Sequence, residues 1–166
     1  VADLACRRAG RPVFDRLSFT LGAGELLALT GRNGSGKTTL LRALALLVRP
    51  TAGTVHWRGA DVLADPEAWR ARLAWLGHLD GLKGDLTVRE NLQAAERLRG
   101  NPPAEDRLNA VLAAFDLVAL ASRVVRTLSA GQRRRSALAR VALGDAPVWL
   151  LDEPLNALDA SAQQAF

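Results

Sequence analysis

The sequence has one cysteine, two histidines and no apolar run long enough to cross a bilayer, and each shortage removes a class of function. Cys6 alone excludes an internal disulfide, and neither it nor His56 has a metal-binding partner at useful spacing. Arg42 and Arg49 bracket the longest aliphatic stretch, well short of the roughly 20 apolar residues a spanning helix needs, so any membrane role is expected to be peripheral. The chain opens on Val1 without a methionine or a basic-then-apolar export segment, which reads as cytosolic, with a trimmed beginning left open. Internal repeats and low-complexity segments are also missing. The net charge of +5 and pI of about 10.8 admit nucleic acid, anionic lipid or phosphate ligands. Yet the arginines are spread among acids, and the only basic run is Arg133 to Arg135, so no nucleic-acid surface is expected.

What remains is 166 residues, 49% apolar, enough for one soluble domain with a hydrophobic core. Apolar runs at Leu17 to Leu21 and Leu26 to Thr30 predict two short strands about a turn at Gly22 and Gly24. Lys37 to Val48 predicts a buried helix, and Val55 to Arg58 another strand. Asp65-Pro66-Glu67 reads as a helix start, with a strand at Ala74 to Gly77 beyond it. Thr87 and Glu90 form a capping-box pattern opening a helix to Gly100; Leu108, Val111, Leu112 and Phe115 predict an amphipathic helix over about 104–121. Val148 to Leu151 is the last strand. Trp57, Trp69, Trp75 and Trp149 all fall within apolar patterns and are expected in the core. Strands and helices alternate at the ends around a helical middle, which predicts an α/β fold with a parallel sheet and a helical insertion.

The segment Gly31-Arg32-Asn33-Gly34-Ser35-Gly36-Lys37-Thr38-Thr39 satisfies the P-loop spacing between a predicted strand and a predicted helix. Its glycines let backbone amides turn toward phosphate oxygens, and the helix adds its positive end. Lys37 would meet the β- and γ-phosphates, Thr38 would place its hydroxyl on Mg²⁺, and Thr39 would donate to a phosphate. Downstream, the apolar run from Val148 ends in Asp152 and Glu153. Asp152 is a hard oxygen ligand suited to Mg²⁺, and Glu153 is placed to orient or deprotonate an attacking water. Between these lies Leu128-Ser129-Ala130-Gly131-Gln132. Ser129 and Gln132 form an S-x-x-Q capping box that would merely start a helix; the same geometry would also make an anion site for a second ATP.

Taken in order, the P-loop, Leu128 to Gln132, Asp152-Glu153 and Asn156-Ala157-Leu158-Asp159 resemble the ATP-binding-cassette ATPases across essentially the whole chain. The resemblance implies a P-loop ATPase fold: a mostly parallel core over 1–78 and 144–166, N-terminal antiparallel strands, and a helical subdomain over about 79–143. It implies a head-to-tail dimer in which Ser129, Ala130, Gly131 and Gln132 face the nucleotide on the partner's P-loop, with Asp159 communicating across the interface. ATP and Mg²⁺ would be the ligands, and separate transmembrane permease subunits the partners, with the chain on the cytoplasmic face of the inner membrane. Trp75-Leu76-Gly77-His78, Gly81-Leu82-Lys83, Leu86-Thr87 and Glu90-Asn91-Leu92 are similar to the ATP-binding subunits of haem exporters in cytochrome c maturation. Ala130 in place of the usual glycine, and Leu17 to Leu21, support that branch. No direct haem binding is expected of such a subunit. The alternatives are an exporter ATPase of other cargo, or a soluble cassette ATPase acting on nucleic acid or ribosomes.

Three departures matter. His78 stands where most cassette ATPases have the glutamine that senses Mg²⁺ and water; it is either that sensor or a plain core or loop histidine. Residues 5 to 12 lack the family's adenine-stacking aromatic, which leaves Arg7 or Arg8 to stack instead. The family's switch histidine would follow Asp159, but the sequence stops at Phe166, so a truncated form that binds ATP and hydrolyses it poorly is expected.

Overall fold

A computed structural model describes residues 1–100 and 102–156. The chain divides into two compact units, Val1–Leu73 and a second beginning at Ala74. Asp159, where an interface role was expected, lies outside the described residues.

In the first unit β1 (Ala2–Arg8) is the middle strand of a three-stranded sheet in the order β2-β1-β3, with β2 (Arg11–Leu17) and β3 (Ala52–Thr54) both antiparallel to it. A two-stranded ribbon, β4 (His56–Trp57) and β5 (Ala60–Asp61), follows. Helix α1 (Lys37–Leu44) buries Leu40, Leu41, Ala43 and Leu44. Helix α2 (Pro66–Ala71) starts as expected, with the Asp65 carboxylate accepting from the Ala68 amide and proline at the first helical position. The buried Trp69 indole donates to the Leu44 carbonyl at 2.8 Å and thereby ties α2 to the end of α1.

The second unit is helical around a leucine core. Helices α3 (Val88–Leu98), α4 (Glu105–Ala114) and α5 (Ala130–Leu143) enclose Val88, Leu92, Leu108, Leu112, Leu117, Val125, Leu128, Ala139 and Leu143. Strand β6 (Leu73–Leu76) forms a two-stranded sheet with β7 (Val148–Leu151), and a second cluster of Ala74, Leu76, Ala137, Leu138 and Val141 lies beneath. The Thr87–Glu90 capping box is present in full. Buried Asn91 fastens the preceding loop to α3, accepting from the Lys83 amide at 2.7 Å and donating to the carbonyls of Lys83 and Thr87.

Several expectations are corrected. The strand over Leu17 to Leu21 ends at Leu17, because Ser18 turns its hydroxyl to the Asp3 amide. Leu26 to Thr30 forms no ladder among the described residues, and Leu26 is 87% exposed; a β-prone run without a hydrogen-bonded neighbour does not make a strand. Val55 to Arg58 is reduced to β4, since Arg58 takes a φ of 51° at the ribbon turn. The helix expected to reach Val48 stops at Leu44, and the one expected to reach 121 stops at Ala114. Both end in Schellman turns: Leu46 (φ 55°) and Asp116 (φ 52°) are left-handed, with Leu47 N bonding Arg42 O and Leu117 N bonding Leu112 O. Of the tryptophans only Trp69 is fully buried, and Trp149 is 45% exposed with its indole on the Ala146 carbonyl.

Candidate nucleotide site and its acid end

The phosphate loop belongs to the first unit. Gly31, Gly34 and Gly36 have φ of 144°, 81° and 98°, values an L side chain rarely adopts. At Gly36 space is decisive as well: a Cβ there would stand 2.6 Å from Val13 Cγ1 on β2. Gly36 caps α1 without a side-chain hydrogen bond, and the first turn carries no acid, which favours an anion at that positive helix end. The Lys37 ammonium folds back over the loop and donates to the carbonyls of Gly31 at 2.7 Å and Arg32 at 3.1 Å. Arg32, Asn33, Gly34 and Ser35 are exposed or nearly so, while Thr38 and Thr39 are half-buried in the first turn. This part is a backbone cradle with one long-stemmed cation folded across it.

The acid end belongs to the second unit. Asp152 follows β7 directly, is 4% exposed, and its amide donates to the Leu76 carbonyl at 2.7 Å. Glu153 has a left-handed φ of 50°, and its carboxylate accepts from Asn156 Nδ2 at 2.6 Å. Helix α5 starts in the expected capping box: Ser129 Oγ accepts from the Gln132 amide at 3.2 Å, and Gln132 Oε1 accepts from the Ser129 amide at 3.0 Å. The capping role is therefore realised. His78, Asp80, Ala130, Arg133, Glu153 and Asn156 line one hollow of about 170 Å³, backed by Arg134. His78 and Glu153 thus meet at one surface.

The basic run is consumed by the fold. Arg133 donates to the Leu128 carbonyl, Arg134 is buried among five acceptors, and Arg135 pairs with Asp116 at 2.6 Å. Sequence reading missed Arg134, Asp80 and the Asn156–Glu153 bond. A signal existed for Arg134: with Ala137, Leu138 and Val141 it falls at i, i+3, i+4 and i+7, on the buried face of α5.

A family model described as ABC transporter matches residues 14–156. The chain belongs to the ABC transporter family. It is 47% identical over 165 residues to the cytochrome c biogenesis ATP-binding export protein CcmA of Cupriavidus necator, covering 99% of this chain and 73% of that one. Against the protein of the same name from Rhodospirillum rubrum the identity is 49% over 160 residues, covering 96% and 68%. Among solved structures it resembles an ABC transporter ATP-binding protein of Pyrococcus furiosus (TM-score 0.89, 25% identity, 99% and 79% covered). It also resembles the ATP-binding subunit of another ABC transporter (TM-score 0.85, 28%, 99% and 69%). This ABC protein is accordingly an ATP-binding ATPase subunit of mixed α/β fold with antiparallel N-terminal strands. Among its described residues no helix is long and apolar enough to cross a membrane.

Proposed function

We propose that this ABC ATPase powers haem export or haem handling in cytochrome c biogenesis, as a peripheral subunit on the cytoplasmic face of the inner membrane. The observation that carries this reading is its 47–49% identity, over nearly the whole chain, to export proteins of cytochrome c biogenesis. The chain would work as a head-to-tail pair attached to separate transmembrane subunits, with domain parts at 1–78 plus 144–166 and about 79–143.

In this reading the amides of Gly31 to Gly36 hold the β- and γ-phosphates, and Lys37 exchanges its two carbonyl partners for phosphate oxygens. Thr39 adds a hydroxyl donor. Ser129 and the first amides of α5, at Ala130 and Gly131, cover the γ-phosphate on the partner copy, with Gln132 bracing that turn. Glu153 accepts the proton of the attacking water, and His78, lining the same hollow, senses its presence. Asp159 would carry the state of one site to the other.

In this reading each unit contributes one donor suited to Mg²⁺. Thr38 offers a hydroxyl and buried Asp152 a carboxylate, both hard oxygens. Mg²⁺ held there would supply positive charge against the β- and γ-phosphates.

The test is complementation of a strain lacking this subunit, scored by mature c-type cytochrome. The wild-type gene should restore maturation. Glu153→Gln should abolish it, lowering hydrolysis by about 10²–10⁴-fold while ATP still binds. Failure of a folded, membrane-recruited wild-type protein to restore maturation would refute the cargo assignment and leave an exporter of other cargo. Salt-sensitive DNA binding without recruitment would instead support the soluble alternative.

A further inference from the structure

We propose that Arg134 is the positioning residue of the acid end: its guanidinium fixes the left-handed backbone of Glu153 and ties it to the loop carrying His78. This deepens the reading of Glu153 as the base and rests on it.

The guanidinium has five N–H donors, and five acceptors surround it. Nε donates to the Pro154 carbonyl at 3.2 Å. Nη2 donates to the carbonyls of Asp152 at 2.6 Å and Glu153 at 2.7 Å. Nη1 donates to the Gly77 carbonyl at 3.1 Å and to Asp80 Oδ1 at 3.2 Å. The side chain is 6% exposed, and its bond to the Asp152 carbonyl is fully buried, so loss of a partner there is most damaging.

Three consecutive carbonyls, from Asp152 to Pro154, converge on this one group. In an extended strand successive carbonyls point to opposite sides, so convergence requires the chain to turn at Glu153. The φ of 50° there is that turn, a conformation that a residue with a side chain holds only when its surroundings impose it. Arg134 supplies the imposing contacts on the backbone. Asn156 then fixes the carboxylate by its 2.6 Å bond to Oε2.

The other edge of the guanidinium reaches the His78 loop. The Gly77 carbonyl shares its peptide plane with the His78 amide, so a bond to one orients the other. Asp80 supplies the countercharge that a buried arginine needs. Because Arg134 projects from α5 one turn past Ala130, where that helix begins, a displacement of the helix is passed to Glu153 and His78 together. Lysine cannot substitute: its three donors radiate from a single atom and cannot span acceptors on both loops.

The experiment is a double-mutant cycle on the native ATPase complex, using Arg134→Lys and Glu153→Asp, which shortens the base by one methylene and leaves slow turnover to measure. Single-turnover hydrolysis, KM, nucleotide binding and thermal midpoint are read for each. Arg134→Lys should lower kcat by about tenfold or more with nucleotide binding within about threefold, and its effect should largely vanish when residue 153 is already Asp. Losses that simply multiply would overturn the inference, as would equal losses of binding and turnover. Where Arg134→Lys does not fold, Asp80→Asn takes its place. That change weakens one of the five bonds and should lower kcat about threefold in the wild-type background only; an unchanged or multiplicative effect overturns the inference. Unchanged hydrolysis in Glu153→Asp and Glu153→Gln alike would refute the base assignment itself, a separate and recognisable failure.

Discussion

The two units hold their candidate functional residues by opposite means. In the first, the phosphate loop is exposed and its shape resides in backbone torsions, with glycines at the positions where φ is positive and only Gly36 pressed by a neighbour from another element. In the second, Asp152 and Glu153 stand on a helix-borne guanidinium, two capping boxes and a closed leucine core. A loop proposed to accept a polyanion benefits from amides that a ligand can reach. A carboxylate proposed to meet a water at a fixed position benefits from a rigid support whose hydrogen bonds are already satisfied.

The sharpest way to test that contrast is the same truncation in both units. Leu112 is 1% exposed in the core of the helical unit, and Leu112→Ala should lower unfolding free energy by about 2–5 kcal/mol. Leu26, 87% exposed ahead of the phosphate loop, should cost no more than about 0.5 kcal/mol as Leu26→Ala. Denaturant titrations of the two variants decide it. Comparable losses would mean that Leu26 is covered in solution and that the comparison is wrong.

Next in size is the glycine pair. Gly36→Ala meets both a φ of 98° and the Val13 methyl, whereas Gly34→Ala, at 81°, opens onto free space. Backbone strain alone costs about 1–3 kcal/mol, so both should weaken ATP binding, and Gly36→Ala should do so more, by about tenfold or beyond. Binding of a non-hydrolysable ATP analogue measures this. Equal losses would assign the whole effect to torsion and none to the β2 contact.

The same contrast explains what could be read from the sequence. The phosphate loop was legible because its chemistry is local: glycine spacing, Lys37 and Thr38 lie within one short segment, Gly31 to Thr39. Both capping boxes were legible for the same reason, as was the helix end at Gly100, which carries its left-handed φ of 82° on a glycine. The ends at Leu46 and Asp116 were not, since each reaches the same left-handed turn without glycine. At Asp116 the motif is closed by burial instead: Leu117, whose amide bonds Leu112 O, packs in the same core as Leu112. The support of Glu153 was hidden further still. Its donors and acceptors come from residues 77, 80, 134 and 152 to 154, and only the periodicity that puts Arg134 on an apolar helix face pointed toward it.

The smallest expected effect concerns the rim of the helical unit, where rigidity should no longer depend on side-chain pairing. Arg107 of α4 makes a two-pronged pair with Asp145, at 2.7 and 3.0 Å, and Asp145 is largely exposed. The hydrogen bond from Arg107, and then its charge, hold the Asp145 carboxyl below its ordinary value. A carboxyl depressed in the folded state adds stability above its unfolded pKa of about 3.9, and that addition is lost as pH falls through the folded value. Asp145→Asn should therefore unfold slightly earlier than wild type at neutral pH, the gap closing on acidification below about pH 4 and also in high salt. Matched denaturant midpoints across pH measure it. A gap that persists in acid would make Asp145 a packing residue rather than a charge, and the rim would then be built like the core.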